Sequence, residues 1–154
     1  MPRRCAIRTA VTLAAAVLLP GAAASSGGGL VPFAVVGDAI PTPLDARDGV
    51  AERGLGLMSD RRGGNCLICH KVSQSNEPFQ GEIGPPLDGI GKRLSPAQIR
   101  LRIADPIRLN PATPMPSYYR VDRLVNVAPE YRGLPVLDAQ QIEDIVAYLS
   151  SLKE

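Results

Sequence analysis

The sequence is poor in the side chains from which small domains usually build a core and a reactive site. It has no tryptophan, two phenylalanines, one histidine and three cysteines. A zinc site needs four ligands, and one histidine with a single closely spaced cysteine pair does not supply them. Runs of alternating β-branched residues are absent, which argues against a sheet. After residue 24 no apolar run is long enough to span a bilayer.

The first 24 residues have the three regions of a secretory signal peptide. Three arginines form a basic segment, Ala10–Leu19 is a short apolar run, and Ala22–Ala24 offers a small-residue cleavage site. We predict that residues 1–24 are removed and that the mature chain is periplasmic; a retained N-terminal anchor is the alternative. Removal takes three arginines and no acids from 17 basic and 15 acidic residues, so the net charge becomes −1. That charge gives no support to binding of nucleic acid or anionic membranes.

The mature chain has the organisation of one domain preceded by an extended segment. Residues 25–43 are rich in Gly, Ser, Pro and small apolar residues, which predicts a flexible arm or linker. Residues 44–154 have the length of one small domain. Within them we predict helices over 45–60, 95–105 and 138–152, joined by loops rich in glycine and proline.

Capping signals define the two later helices. Ser95 is followed by Pro96 and Gln98, and Asp138 is followed by Gln141, which are the residues of capping boxes. The last helix then carries an apolar stripe at helical spacing, which we assign to the core: Ile142, Ile145, Val146, Leu149 and Leu152.

Residues Cys66–His70 read C-x-x-C-H, the attachment motif for c-type haem. In this motif two thiols add to the porphyrin vinyl groups, and the adjacent histidine becomes the proximal iron ligand. A thioredoxin-like dithiol would need a βαβ context, which the flanking sequence lacks, and a structural disulfide would leave His70 unexplained. We therefore predict one covalent haem c bound by Cys66, Cys69 and His70. The porphyrin would also supply apolar surface for a core that has few aromatic side chains.

The opposite axial position of the iron needs another ligand, and two methionines lie outside the predicted signal peptide. Met58 falls on the apolar stripe of the first helix, where packing explains it. Met115 lies in a loop that prolines stiffen on both sides, and we predict that its thioether is the sixth ligand. Downstream of the motif, Pro85 has a fixed φ and a free carbonyl, which we predict to accept the Nδ1–H of His70. A surface turn around Met115 and an ordinary turn at Pro85 are the alternatives.

An iron with histidine and methionine ligands has both axial positions filled and therefore transfers electrons instead of binding a substrate. We accordingly predict no catalytic residue in this chain. An enzyme with an open iron, such as a peroxidase, would require that Met115 not bind the metal.

The order of these features resembles the class I cytochromes c, an all-α family in which a few helices wrap around one covalent haem. In that family a glycine of the first helix packs against an aromatic residue of the last helix. Gly54 and Tyr148 match those positions, and the proline carbonyl and methionine ligand of the family correspond to Pro85 and Met115.

Within this class the sequence is similar to the SoxX family, the monohaem cytochrome subunits of the periplasmic sulfur-oxidation (Sox) system. The similarity is carried by GNCLICH at 64–70, EPFQGEIGPPLDGIG at 77–91, ADPIRLNPATPMPSYY at 104–119 and the tail at 129–152. It implies a heterodimer with SoxA, the cytochrome that holds the catalytic haem of the L-cysteine S-thiosulfotransferase SoxAX.

The resemblance also implies the reaction that the chain serves. SoxAX couples thiosulfate oxidatively to a cysteine of the SoxYZ carrier, and SoxX passes the electrons to a small cytochrome c. The processed chain keeps no cysteine beyond Cys66 and Cys69, which agrees with an electron-transfer subunit that does not itself perform the sulfur chemistry. A free-standing periplasmic class I cytochrome c electron carrier is the alternative.

Overall fold

The computed structural model describes Met1, residues 30–122 and residues 124–154. Within these ranges it contains the helices α1 (Ala51–Ser59), α2 (Ile90–Arg93), α3 (Pro96–Ala104) and α4 (Ala139–Ser151). Short 3₁₀ turns lie between them, at Cys66–Ile68, Pro106–Arg108 and Pro129–Tyr131. No strand forms in the described ranges, where a single antiparallel bridge joins Val36 and Ala39. The predicted all-α class is confirmed, and the predicted signal peptide lies outside the described residues apart from Met1.

Helix α4 contacts each of the other three helices, and α1 packs against it at very short distance. A Cβ atom at Gly54 of α1 would lie 2.2 Å from the carbonyl oxygen of Asp144 and 2.8 Å from Cβ of Tyr148. Glycine is needed at position 54 because any side chain would push the two backbones apart. The predicted close approach at Gly54, with Tyr148 as its neighbour, is confirmed.

A buried carboxylate also joins α1 to α4. The Asp144 side chain is 3% exposed and lies 2.7 Å from Nε of Arg53, and it accepts the backbone N–H of Val50 at 2.8 Å. Burial alone would raise the pKa of Asp144, but hydrogen bonds from Arg53, Val50 and Gln140 together hold that pKa below its ordinary value. Asp144 therefore remains ionised and fixes the start of α1.

Helices α3 and α4 begin at the predicted capping boxes. Ser95 Oγ accepts the N–H of Gln98 at 3.3 Å while the Gln98 side chain accepts the N–H of Ser95 at 2.9 Å. Asp138 and Gln141 make the same reciprocal pair at 2.8 and 2.9 Å. The apolar stripe of α4 is buried throughout, so its assignment to the core is confirmed.

Helix α1 begins at Ala51, later than the predicted start at residue 45. The carboxylate of Asp45 instead accepts the backbone N–H of Arg47 at 2.9 Å and binds its guanidinium. A Cβ atom at Gly49 would lie 2.0 Å from the carbonyl oxygen of Glu143. Contact with α4 therefore holds residues 45–50 outside the helical conformation.

Residues 30–43, the described part of the predicted arm or linker at 25–43, are mostly exposed and contact the helical domain at a few positions. Ile40 is fully buried, and its N–H donates to the carbonyl oxygen of Ala97 at 3.0 Å. The ring of Phe33 contacts that of Tyr119, with centroids 6.2 Å apart. The partners of this segment lie far along the chain, and its Gly- and Pro-rich composition gives no sign of them.

A buried ion pair lies beneath this segment. Arg100 of α3 and Glu143 of α4 have side chains 5% and 6% exposed and form two hydrogen bonds of 2.7 Å. Arg100 also donates to the carbonyl oxygen of Ile40 at 2.7 Å, and Glu143 accepts the N–H of Leu44 at 2.8 Å. The pair thus ties the N-terminal segment to two helices at once.

The short helix α2 lies in a region that the sequence suggested to be loop. Four residues are too few to show a helical period, so no pattern could identify it. A Cβ atom at Gly91 would lie 2.3 Å from the carbonyl oxygen of Ser150, which places α2 against the end of α4. In the part of the chain that the structure describes, no helix combines the length and apolar character needed to cross a membrane.

Candidate haem-binding site

The C-x-x-C-H motif forms a tight turn with both thiols on it. Asn65 has a left-handed φ of 44° and leads into the 3₁₀ turn Cys66–Ile68, a conformation that asparagine tolerates better than most residues. The N–H groups of Cys69 and His70 both donate to the carbonyl oxygen of Cys66, at 3.1 and 2.9 Å. Cys66 and Cys69 are free thiols that are partly buried, so both are available for thioether formation.

Burial acts most strongly on the first of these thiols. It raises the pKa of Cys66 to about 12, so this sulfur stays a neutral thiol at physiological pH. A thiol that stays neutral is a weak redox nucleophile. In addition, no cluster of three or more His, Cys, Asp or Glu side chains with metal-binding geometry occurs among the described residues.

The imidazole of His70 is held by the backbone of the following loop. Nδ1 of His70 donates to the carbonyl oxygen of Pro85 at 2.8 Å, the contact that the fixed φ of Pro85 leads us to expect. Because a carbonyl oxygen only accepts, a proton lies on Nδ1, and in the neutral imidazole Nε2 then keeps its lone pair. Such a bond fixes the ring and strengthens its donor nitrogen. His70 therefore has the tautomer that an iron ligand requires.

Two glycines allow this loop to lie directly against the motif. A Cβ atom at Gly84 would be 2.3 Å from Cε1 of His70, and one at Gly81 would be 1.9 Å from the carbonyl oxygen of Ile68. Both glycines also donate backbone hydrogen bonds of 2.8 Å to the turn, to Cys69 and Leu67 respectively. The one sequence signal for these glycines is their spacing in GEIG, directly before Pro85.

Met115 lies in a separate loop between α3 and α4, partly buried and packed against the core. Its N–H donates to Oγ1 of Thr113 at 3.2 Å, which fixes the backbone at the methionine. Met58, in contrast, is fully buried on α1, as a residue with a packing role should be. Of the two methionines outside the predicted signal peptide, Met115 is therefore the one whose side chain is only partly buried.

Tyr118 connects the Met115 loop to the attachment turn. Its hydroxyl donates to the carbonyl oxygen of Gly64 at 2.7 Å, two residues before Cys66. Burial, and then the charges of the neighbouring thiols of Cys66 and Cys69, raise the pKa of Tyr118 above its ordinary value. The phenol therefore lies against the attachment turn, and no spacing in the sequence signals this contact.

The donor groups present fit a c-type haem. Two unpaired thiols three positions apart, an imidazole with a free nitrogen and a thioether on a stiff loop are the groups that this cofactor uses. The structure brings His70 and Pro85 into direct contact, and it joins the Met115 loop to the attachment turn through Tyr118.

Comparison with known proteins agrees with this site. The family model for cytochrome c matches residues 51–153. A solved structure described as the crystal structure of SoxXA from P. pantotrophus is similar, with a TM-score of 0.74 and 37% sequence identity, covering 79% of this chain and 95% of the matched chain. No curated protein matches the sequence closely enough to count as a relative. Cytochromes c are haem proteins of electron transfer, and covalently bound haem c is the cofactor that the family implies. The chain therefore belongs to the cytochrome c family and is a SoxX-type class I cytochrome c.

Proposed function

We propose that this chain is the SoxX subunit of a SoxAX complex and transfers electrons during thiosulfate oxidation. The observation that carries the proposal is the similarity to a SoxXA chain over 95% of that chain's length. In this proposal Cys66 and Cys69 hold one haem c by thioether bonds, His70 is the proximal ligand, and Met115 is the distal ligand.

The residues of the chain have separate tasks in this proposal. Pro85 orients the imidazole of His70 through the 2.8 Å bond to Nδ1, and Gly84 leaves room for the ring. Bound haem c supplies a one-electron iron couple. Met115 and His70 together occupy both axial positions, so the site favours electron transfer over ligand binding, and methionine raises the reduction potential relative to a second histidine.

The Met115 assignment has a direct spectroscopic test. Ferric wild-type protein should show the near-infrared sulfur-to-iron charge-transfer band, and Met115→Ala should lose the band and lower the reduction potential. Met58→Leu is the matched control, because Met58 is a fully buried methionine of α1, and this variant should keep both the band and the potential. A band that survives in Met115→Ala would contradict the assignment.

The proposed partner is SoxA, with transient contact to SoxYZ and onward transfer to a small cytochrome c. An exposed apolar surface beside the attachment turn supports a protein partner there. Ile68 on the turn is 62% exposed, and Phe79 and Ile83, on either side of Gly81, are 88% and 74% exposed. Clustered exposed apolar residues mark interaction sites, and this cluster lies against the turn that would carry the haem.

Co-purification with SoxA tests the partner. The full chain, expressed with SoxA in a host that matures cytochromes c, should elute with it from gel filtration as a heterodimer. Phe79→Ser should weaken that association, whereas Val36→Ser, which changes a 64% exposed residue of the N-terminal segment, should not. A monomer that ignores SoxA and still reduces a small cytochrome c would favour the free-standing carrier instead.

Export and domain boundaries form the last part of the proposal. Residues 1–24 are the signal peptide, the mature chain is periplasmic, and residues 44–154 are the cytochrome c domain, with 30–43 packed against it. N-terminal sequencing of protein from the periplasmic fraction should begin near residue 25. A first residue at Met1, in protein recovered from membranes, would indicate a retained anchor.

A further inference from the structure

The loop that carries Met115 is closed at its base by the backbone. The N–H of Tyr118 donates to the carbonyl oxygen of Ile103, and the N–H of Tyr119 donates to that of Ala104, both at 3.2 Å. These two bonds pair the end of α3 with the chain beyond Met115. Residues 105–117 therefore project as one loop whose two ends lie side by side.

A buried carboxylate occupies the base of this loop. Asp105 is 2% exposed and accepts hydrogen bonds from Nε of Arg108 at 3.1 Å, from Oγ of Ser117 at 3.1 Å and from Nη1 of Arg120 at 3.2 Å. Arg108 precedes Met115 in the chain, and Ser117 and Arg120 follow it. One side chain thus binds both arms of the loop.

Apart from the bond between Tyr118 and Gly64, the other side-chain hydrogen bonds of the loop are local. Asn110 accepts the N–H of Ala112 at 3.0 Å, and Thr113 accepts the N–H of Met115 at 3.2 Å. These bonds shape the tip but join residues only two positions apart, so they do not tether the tip to the helices. Hydrogen bonds between arginine and a carboxylate are stronger than such neutral ones, and the contacts of Asp105 link the arms of the loop to each other and to the end of α3.

We infer that Asp105 is a positioning residue that holds the Met115 loop in the conformation in which the thioether binds iron. The inference rests on the proposed ligation by Met115. A thioether is a neutral and weak ligand, so the ligated state depends on how strongly the loop prefers that conformation. Loss of the hydrogen bonds of Asp105 should increase the fraction of molecules in which the Met115 sulfur is detached from iron. An external ligand binds the iron of those molecules, so its apparent affinity rises in proportion to that fraction.

Cyanide binding to the ferric holoprotein measures this population. Asp105→Asn keeps the size of the side chain but removes its charge and turns one acceptor into a donor that faces Arg108 or Arg120. The cyanide affinity of this variant should rise about ten- to a hundredfold. That factor corresponds to the stabilisation lost when a hydrogen bond to a charged group is removed. The near-infrared sulfur-to-iron band should also disappear at a lower temperature than in the wild type.

Asp144→Asn is the matched control. Asp144 has the same 3% side-chain exposure as Asp105 and also binds arginine, but it joins α1 to α4. This variant should lower the unfolding midpoint while its cyanide affinity stays within about twofold of the wild type. Should Asp105→Asn not accumulate, Ser117→Ala removes one of the three bonds and should raise cyanide affinity by about tenfold.

The outcomes separate this inference from the proposed function. A wild-type protein without the near-infrared band overturns ligation by Met115, and the role of Asp105 with it. A wild-type band together with wild-type cyanide affinity in Asp105→Asn, or in Ser117→Ala if that variant has to be used, overturns only the role of Asp105. In that case a drop in unfolding midpoint like that of Asp144→Asn would show that Asp105 serves the stability of the fold alone.

Discussion

Replacement of Gly84 by alanine should alter the electronic environment of His70 without replacing a proposed ligand. The added Cβ would lie 2.3 Å from Cε1 and 2.6 Å from Nδ1 of the ring, whereas unstrained carbon contacts are about 3.5 Å or longer. The ring and the loop must therefore separate by roughly 1 Å. That displacement takes the 2.8 Å bond between Nδ1 and Pro85 beyond hydrogen-bond distance.

The size of the effect follows from the value of the lost bond. A hydrogen bond of this kind contributes about 0.5–1.5 kcal/mol. If this whole free energy is present in the ferric state and absent in the ferrous state, the reduction potential shifts by roughly 20–65 mV. The conversion uses about 59 mV for each tenfold change in the equilibrium constant of a one-electron couple. The sign is positive: without the bond, His70 is a weaker donor, and a weaker donor stabilises ferric iron less.

A redox titration of the holoprotein provides the assay, with Gly56→Ala as the matched control. A Cβ atom at Gly56 of α1 would meet no atom within 4 Å, so this variant should keep the wild-type potential. Equal potentials in Gly84→Ala, Gly56→Ala and the wild type would refute the idea that the loop carbonyl tunes His70.

Two further predictions concern the carboxylates of α4. Glu143→Ala should lower the free energy of unfolding by about 3–5 kcal/mol in denaturant titrations, because it leaves Arg100 buried without its partner; a loss below about 1 kcal/mol would contradict the burial of the pair. The lowered pKa of Asp144 means that its contribution to stability is present above the unfolded pKa of about 3.9 and is lost as the pH falls through the folded value. Asp144→Asn should therefore lose less stability than the wild type between pH 5 and pH 2, and identical pH profiles would contradict this.

The features that could be predicted from the sequence depend on residues close together in the chain. The capping boxes at Ser95 and Asp138 each use residues three positions apart, and both form as predicted. In these two cases few conformations of the intervening chain are possible, so local chemistry decides the outcome. The contact between His70 and Pro85 joins residues 15 positions apart, and it is expected from the fixed φ and free carbonyl of Pro85.

The features that could not be predicted depend on contacts between distant residues. The carbonyl oxygen of Ile40 accepts a hydrogen bond from Arg100, which is paired with Glu143, and nothing in the composition of residues 25–43 indicates those partners. The same holds for Asp105. The sequence predicts it as the last residue of a helix, whereas in the structure its carboxylate accepts hydrogen bonds from Ser117 and Arg120. A charged residue at a helix end normally faces water, so its burial becomes visible only when the fold brings its partners together.

Mass spectrometry of protein exported by a host with active cytochrome c maturation tests the central claim most directly. The mature chain should be coloured and heavier than its polypeptide by one haem, and the added mass should map to the peptide that contains Cys66, Cys69 and His70. Colourless protein at the plain polypeptide mass, with Cys66 and Cys69 free or joined in a disulfide, would contradict the account.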